Sequence, residues 1–273
     1  MRGVLDITFE RREEKTVVRE VFQQAPLRVV RPFYPEGESP AHLYLLNTTG
    51  GILEGDRMET TVRLEKGAHL LATTPAATRV HPSPSGEACQ KMVFFLGAGA
   101  VLEYLPEPLL LYADAAFHQE TDIYIEEGGG LFFLDILAPG RLARGEAFAY
   151  RWYENRLRIY DGGGLLVQEG FRLAPQERRL DVAVAMEGYT HLGSLYVVCP
   201  DREAEGLLEA FRSAPAPAVF WGGTLLARGG IAVRALARDT PSLQDFFLSS
   251  GVVFGRGFWG GLSPPFGDIE VSA

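Results

Sequence analysis

The chain has 273 residues, 47% of them hydrophobic, and a formal net charge of -9. That acidic balance argues against a nucleic-acid partner, because phosphates must be met by clustered Lys and Arg. No apolar run approaches the roughly twenty residues that span a bilayer, so the apolar content points to a deep core or to a surface that a partner covers.

Val4 to Glu10 and Lys15 to Phe22 read as two strands around the charged turn Arg11–Glu14, with Leu5, Ile7 and Phe9 on one face. Arg28 to Tyr34 is a further extended piece, closed by Pro35 and Pro40. His42 to Leu46 is strand-like, and from Met58 the residues Met58, Thr60, Val62 and Leu64 alternate with Glu59, Thr61, Arg63 and Glu65. Between these strands, Asn47 to Asp56 holds Gly50, Gly51 and Gly55. Glycine serves where the backbone takes a positive φ or where something approaches closely, so this is a tight, shaped connection with Asp56 at its exit. It is no phosphate loop, since it opens a strand instead of a helix and no lysine follows.

A repeat then appears. Strand, glycine turn and strand recur around Gly67, Gly97 with Gly99, Gly128 with Gly130, and Gly162 with Gly164. The interval is roughly thirty to thirty-four residues, in the range of stacked β units. In three of these units an acidic residue follows the last turn glycine: Glu103, Asp135 and Glu169. Glu103 lies between Leu102 and Tyr104, and Asp135 lies inside the apolar run Leu131 to Leu137. An enclosed carboxylate needs a partner or a task. Two prolines interrupt Glu103 to Leu109, and Pro139-Gly140 turns the chain so that Arg141, Arg144 and Glu146 cluster.

Beyond Glu169 the texture changes. Ser194 to Cys199 is a buried-type strand, and Pro200-Asp201 opens a helix to about Ser213 whose face is Leu207, Leu208 and Phe211. Ala218 to Trp221 and Thr224 to Ala227 read as short strands, followed after Gly229-Gly230 by Ile231 to Leu236. Asp239-Thr240-Pro241 opens a second helix carrying Leu243, Phe246 and Phe247. The tail from Gly251 reads as irregular. The expected fold is mainly β, a stacked, β-helix-like scaffold over residues 1–185. An α+β subregion over 186–273 adds about two helices, all within one domain.

Cys89 and Cys199 stand far apart, which fits a reducing compartment without a disulfide framework. The charged N-terminal segment has no signal-peptide character, so the expected location is cytoplasmic. There is no Gly-x-Ser-x-Gly elbow, and His42, His69, His81, His118 and His191 form no zinc motif. What remains are the carboxylates Asp56, Glu103, Asp135 and Glu169. Two of them could flank a sugar in a carbohydrate-active hydrolase. Alternatively they could line a polar passage that handles a divalent cation loosely, since carboxylate oxygens are modest ligands for late divalent metals. A third reading is a β-rich interaction module with no metal role.

Four motifs break this tie. They are Leu46-Asn-Thr-Thr-Gly-Gly-Ile-Leu-Glu-Gly-Asp-Arg57, Leu71-Ala-Thr-Thr-Pro-Ala-Ala-Thr-Arg-Val80, Leu102-Glu-Tyr-Leu-Pro-Glu-Pro108 and Asp135-Ile-Leu-Ala-Pro-Gly-Arg-Leu-Ala-Arg-Gly-Glu146. In order and spacing, over about residues 40 to 150, they resemble the urease accessory protein family UreD, also called UreH. Arg79 stands for the family's usual lysine and Pro75 for a common glutamine. The tail, Phe258 to Asp268, departs from the basic, Trp-containing end frequent in the family.

The resemblance implies a non-enzymatic maturation chaperone that scaffolds UreF and UreG on apo-urease and assists nickel insertion into the urease active site. It implies no tightly bound cofactor, only nickel(II) in transit through an internal tunnel; nucleic-acid and membrane partners are disfavoured by the acidic charge and the lack of a long apolar run. Matched to family positions, Asp56 and Asp135 lead as passage residues, followed by Glu169 and Glu103. Asn47, Gly50, Gly51, Gly55, Arg79 and Pro106 belong to the motif loops, and Arg141 and Glu146 brace the last of them.

Overall fold

The computed structural model describes residues 1–249 apart from 36, 38, 181, 183, 184 and 200. The tail from Gly251, with its departure from the family, and Pro200 at the start of the first helix lie outside the described residues. The fold is mainly β, with two helices in its C-terminal part.

Strands β1 (Arg2–Arg12) and β2 (Lys15–Gln24) form an antiparallel hairpin. Leu5, Ile7 and Phe9 are buried on one face of β1, each such side chain contributing roughly 1.5–3 kcal/mol. The next extended piece is shorter than its sequence reads. Only β3 (Leu27–Val29) pairs with β4 (Ala41–Asn47), and Phe33 adds an isolated bridge to His42. Pro26 and Pro32 remove backbone donors on either side of β3, which confines it to the sheet edge.

From β4 the chain winds between two sheets. It crosses to β5 (Arg57–Leu64), returns through the Gly67 turn to β6 (His69–Thr73), and passes the short β7 (Thr78–Val80). The next coil is β8 (Ala88–Leu96), the Gly97–Gly99 turn and β9 (Val101–Tyr104), with β10 (Leu109–Leu111) after it. The third is β11 (Ala116–Ile125), the Gly128 turn and β12 (Gly130–Ala138), leading to β13 (Trp152–Asp161). Within one sheet β5, β8, β11 and β13 are parallel and in register. Within the other, β4, β6, β9 and β12 are parallel. These are stacked, solenoid-like coils.

The fourth glycine turn behaves differently from the first three. Asp161 pairs with Gly164 across a two-residue hairpin, and β14 (Gly164–Leu173) folds back antiparallel on β13 in the same sheet. Asp161 Oδ1 accepts the Gly163 N–H at 2.8 Å, an Asx-type closure that favours a tight reversal over a crossing. The stack therefore ends here, and β14 seals its edge.

The second sheet continues through β15 (His191–Val198), then, after α1 (Asp201–Ser213), β16 (Phe220–Leu225) and β17 (Ile231–Ala237), followed by α2 (Thr240–Ser249); α1 packs on β16 and β17, α2 on β15 and β17. The two short strands read around Gly222-Gly223 are one strand, because its backbone ladder to β17 runs unbroken through both glycines. Asp239 Oδ1 accepts the Ser242 N–H at 2.8 Å and caps α2. Sheet order is β14-β13-β11-β8-β5-β1-β2 opposite β16-β17-β15-β12-β9-β6-β4-β3, with β7 and β10 pairing off the second path.

Candidate functional site

Each coil has two edges. The glycine turns stack along one, and the connections returning from the second sheet to the first stack along the other. All four sequence motifs lie on this second edge. Ile52 of the first bridges Val80 of the second. Strand β7 pairs in parallel with β10, and β10 with the end of β12. Residues some thirty positions apart in the chain are thereby neighbours.

The first two motif loops enclose a cavity of about 170 Å³ whose lining includes Asn47, Gly50, Gly51 and Arg79. Asn47 Oδ1 accepts the Thr49 N–H at 3.0 Å, shaping the entry. Gly51 has φ +147°, and a Cβ there would lie 2.7 Å from the Arg79 carbonyl oxygen and 2.8 Å from the His81 ring. Only glycine lets the two loops touch. Arg79 presents an exposed side chain while its carbonyl accepts the Ile52 N–H at 2.8 Å. Gly55 takes φ +77° in the turn that leads to Asp56. Pro106 lies in a loop pinned to the second motif, where Thr73 Oγ1 donates to the Leu105 carbonyl and Thr74 Oγ1 accepts the Glu107 N–H.

A polar band runs inward from this cavity. The inward row Thr60–Met92–Thr121–Leu157–Glu169 crosses β5, β8, β11, β13 and β14, and the row Gln90–Gln119–Asn155 lies beside it. Thr60, Gln119, Thr121, Asn155 and Glu169 are buried. The row on one side is apolar, Val62–Phe94–Ile123–Ile159, and so is the row on the other, Ala88–Phe117–Tyr153. Facing the band from the second sheet is the row Asp135–Ser194–Arg234 on β12, β15 and β17. At the far end an open cleft of about 560 Å³ is lined by Glu169, Gly170, Tyr196, Gly222, Gly223, Thr224 and Arg234 among others.

Asp135 and Glu169 face this layer from opposite sheets, near enough for the Glu169 charge to act on Asp135. Gln119 Nε2 donates to Asp135 Oδ2 at 3.3 Å, and Arg234 Nη2 is paired with Glu169 Oε2. Among the described residues, two buried oxygens of this layer, Glu169 Oε1 and Thr121 Oγ1, have no hydrogen-bond partner. Unsatisfied acceptors in such a setting call for a water or an ion. The Asp135 carboxyl is pushed up from 3.8 to about 6, first by burial and then by the Glu169 charge, with the Gln119 hydrogen bond pulling the other way. Asp135 nevertheless keeps an intermediate exposure. Burial, then the Asp135 charge, pushes the Tyr104 and Tyr153 hydroxyls upward.

The raised carboxyl has a consequence for stability. Its favourable contribution is complete below pH 3.8 and is lost as pH rises through about 6, because the folded state holds that proton more tightly than the unfolded chain. Asp135→Asn removes the charge and keeps the shape. The expected result is a gain on the order of 2 kcal/mol at pH 7.5, roughly 5 °C in Tm, that vanishes in acid below pH 4. Equal melting temperatures for the two proteins at pH 7.5 would contradict it.

The other two carboxylates lie elsewhere. Asp56 is 3% exposed, accepts the Leu53 N–H at 2.9 Å and lies 2.7 Å from the Met1 amino group. It precedes β5, four strand spacings or roughly 19 Å from β14. Glu103 points to the opposite face of the second sheet, where His69 Nε2 meets its Oε1 at 2.7 Å. Neighbouring His42 is held down to about 4 by burial and then by His69. In register Glu103 aligns with Phe132, three positions before Asp135, and that odd offset puts the two carboxylates on opposite faces. Arg141 and Glu146 form a two-pronged pair, Nε to Oε2 at 2.7 Å and Nη2 to Oε1 at 2.5 Å, with Arg141 stacked 4.0 Å over Tyr112. Among the described residues no group of three or more His, Cys, Asp or Glu side chains is arranged to hold a metal ion. No helix of the described residues is long and apolar enough to cross a membrane.

Six polar groups of the site escaped the reading of the sequence: Gln90, Gln119, Thr121, Asn155, Ser194 and Arg234. His118 to Asp122 is polar at every position, so no period of two shows which of these residues face inward.

A family model described as UreD urease accessory protein matches residues 1–261. A protein of Bacillus sp. (strain TB-90) named urease accessory protein UreD is 34% identical over 249 residues, covering 89% of this chain and 90% of that one. The protein of that name from Bacillus cereus is 30% identical, covering 90% of each chain. The one from Cenarchaeum symbiosum is 32% identical, covering 88% of this chain and 87% of its own.

Proposed function

The chain belongs to the UreD urease accessory protein family, and from that premise we propose that it is a cytoplasmic maturation chaperone for urease. In this reading it holds UreF and UreG on apo-urease and passes nickel(II) toward the urease active site through the polar band between its sheets. The observation that carries the reading is the placement of Asp135 and Glu169 on the two sides of a buried polar layer with a cavity at one end and a cleft at the other. Two carboxylates among amide and hydroxyl neighbours, one of them held by the Arg234 guanidinium, give a dication a foothold without a closed cage. Late divalent metals bind oxygen donors less firmly than imidazole or thiolate, so the ion can move on. A non-catalytic role fits relatives that are accessory proteins by name. Partner-covered surface fits the exposed apolar side chains Phe22, Phe33 and Phe220.

The test uses cells that carry urease and the remaining accessory proteins but lack this chain. Urease from them is expected to contain little nickel, and supplying the chain is expected to restore it. A tagged chain should also retrieve UreF and apo-urease subunits from lysate. Urease fully loaded without the chain would overturn the proposal.

A further inference from the structure

We propose that Arg234 is the gate of the inter-sheet passage: its guanidinium occupies the cation position at Glu169 when the passage is empty, and a divalent cation enters by displacing it. The proposal rests on the passage reading above and adds a residue and a rule of selection to it.

Arg234 is paired through Nη2 with Glu169 Oε2, yet the two partners differ in their surroundings. The Glu169 side chain is 6% exposed and the Arg234 side chain 57%. The pair therefore joins an interior carboxylate to an arm that reaches in from solvent at the cleft. Arg234 sits on β17, in register with Ser194 and through it with Asp135. The attached cation is paired with Glu169, two strands along that row from Asp135, and among the described residues the second Glu169 oxygen has no hydrogen-bond partner. Opposite Arg234 on β16 is Gly222, where an added Cβ would meet nothing within 4 Å. Gly170, beside Glu169, is almost as open, its nearest neighbour being a backbone oxygen at 3.9 Å. Both glycines line the cleft with Arg234, and they leave room for the arm to swing out.

The selection follows from charge. A bare pair of buried carboxylates attracts any cation, because charges interact strongly where water is scarce. With a guanidinium already in place, a monovalent ion offers no advantage over it. A dication brings twice the charge and can also reach Asp135, so it can replace the arm.

The test measures nickel(II) binding to the full-length chain, with nickel chloride as the only ligand, for the wild type, Arg234→Gln and Arg234→Lys. Arg234→Gln is expected to bind about tenfold more tightly, since the ion no longer competes with an attached cation, and to lose discrimination against potassium. Arg234→Lys, which keeps a cation on a similar stem, should bind like the wild type. Equal affinity in all three proteins overturns the gate. If Arg234→Gln does not fold, the wild type supplies the readout: a dicarbonyl reagent should modify Arg234 faster once nickel is added, and an unchanged rate overturns the gate. Urease activation by Asp135→Asn with Glu169→Gln separates the two ideas. Full activation by that protein removes the passage itself, and the gate with it. Lost activation together with equal affinities leaves the passage and removes only the gate.

Discussion

Asp135→Asn combined with Glu169→Gln is expected to leave the chain folded and bound to its partners while cutting nickel-dependent urease activation roughly 10- to 100-fold, the range seen when groups supporting a bound metal are removed. Both substitutions preserve shape and hydrogen-bonding reach but delete the two negative charges that meet between the sheets. Gln119 keeps an oxygen to donate to at position 135, and Arg234 keeps one at position 169. The fold should therefore tolerate the change, and the raised Asp135 carboxyl predicts that it gains stability near neutrality. A more stable chain that activates urease poorly would separate transport from scaffolding. Glu103→Gln is the internal control. Its carboxylate meets His69 on the opposite face of the second sheet, so its loss should weaken that packing without closing the passage. The assay is urease activity of the assembled complex against nickel concentration, with partner retention checked by co-purification. Full activation by the double variant at limiting nickel would remove both side chains from the route and leave only the scaffold.

The fold was legible where local chemistry repeats. Glycine turns and alternating apolar positions marked the coils, because a two-sheet stack reuses one local solution at each turn. The same signal misled at Gly162–Gly164, where the chain reverses into a hairpin instead of crossing. Reversal and crossing both need glycine, and the difference lies in the register of the partner strand. That difference matters for the proposed passage. It places Glu169 on the first sheet, facing Asp135, instead of directly above it on the second.

The site was legible in its parts and not in its assembly. Asp135 and Glu169 stand out as carboxylates within or beside apolar runs, which is a one-dimensional signal. That Gln119, Thr121 and Asn155 form a layer with them is not, since they lie on two strands, β11 and β13, in two adjacent rows that only the sheet register brings together. Arg234 lies 65 residues after Glu169 (234 minus 169) and is joined to it only by the closing of two sheets. The motif loops show the same limit. Their residues are spaced by whole coils, and nothing in the sequence says that they occupy one edge.

Gly140→Ala is expected to cost roughly 4 kcal/mol, about 10 °C in Tm, at the upper end of what single substitutions do. Gly140 has φ +134°, and a Cβ there would lie 2.0 Å from the Glu146 carbonyl oxygen and 3.3 Å from that of Leu111. Neither obstacle is a flexible side-chain end, so the backbone must move. Moving it pulls on the Arg141–Glu146 pair, on the Phe148 N–H donated to the Pro139 carbonyl at 2.9 Å, and on the stacking of Arg141 over Tyr112. Gly145→Ala in the same loop is the comparison. It also has a positive φ, +73°, but a Cβ there meets nothing within 4 Å, so only the left-handed penalty of about 1–2 kcal/mol applies. Thermal melts of the two variants against the wild type separate strain from overlap. Melting temperatures within a degree or two of each other would show that the close approach at Gly140 does not constrain the fold. A wide gap would tie the last motif's Pro-Gly turn to the rigidity of the edge on which all four motifs are stacked.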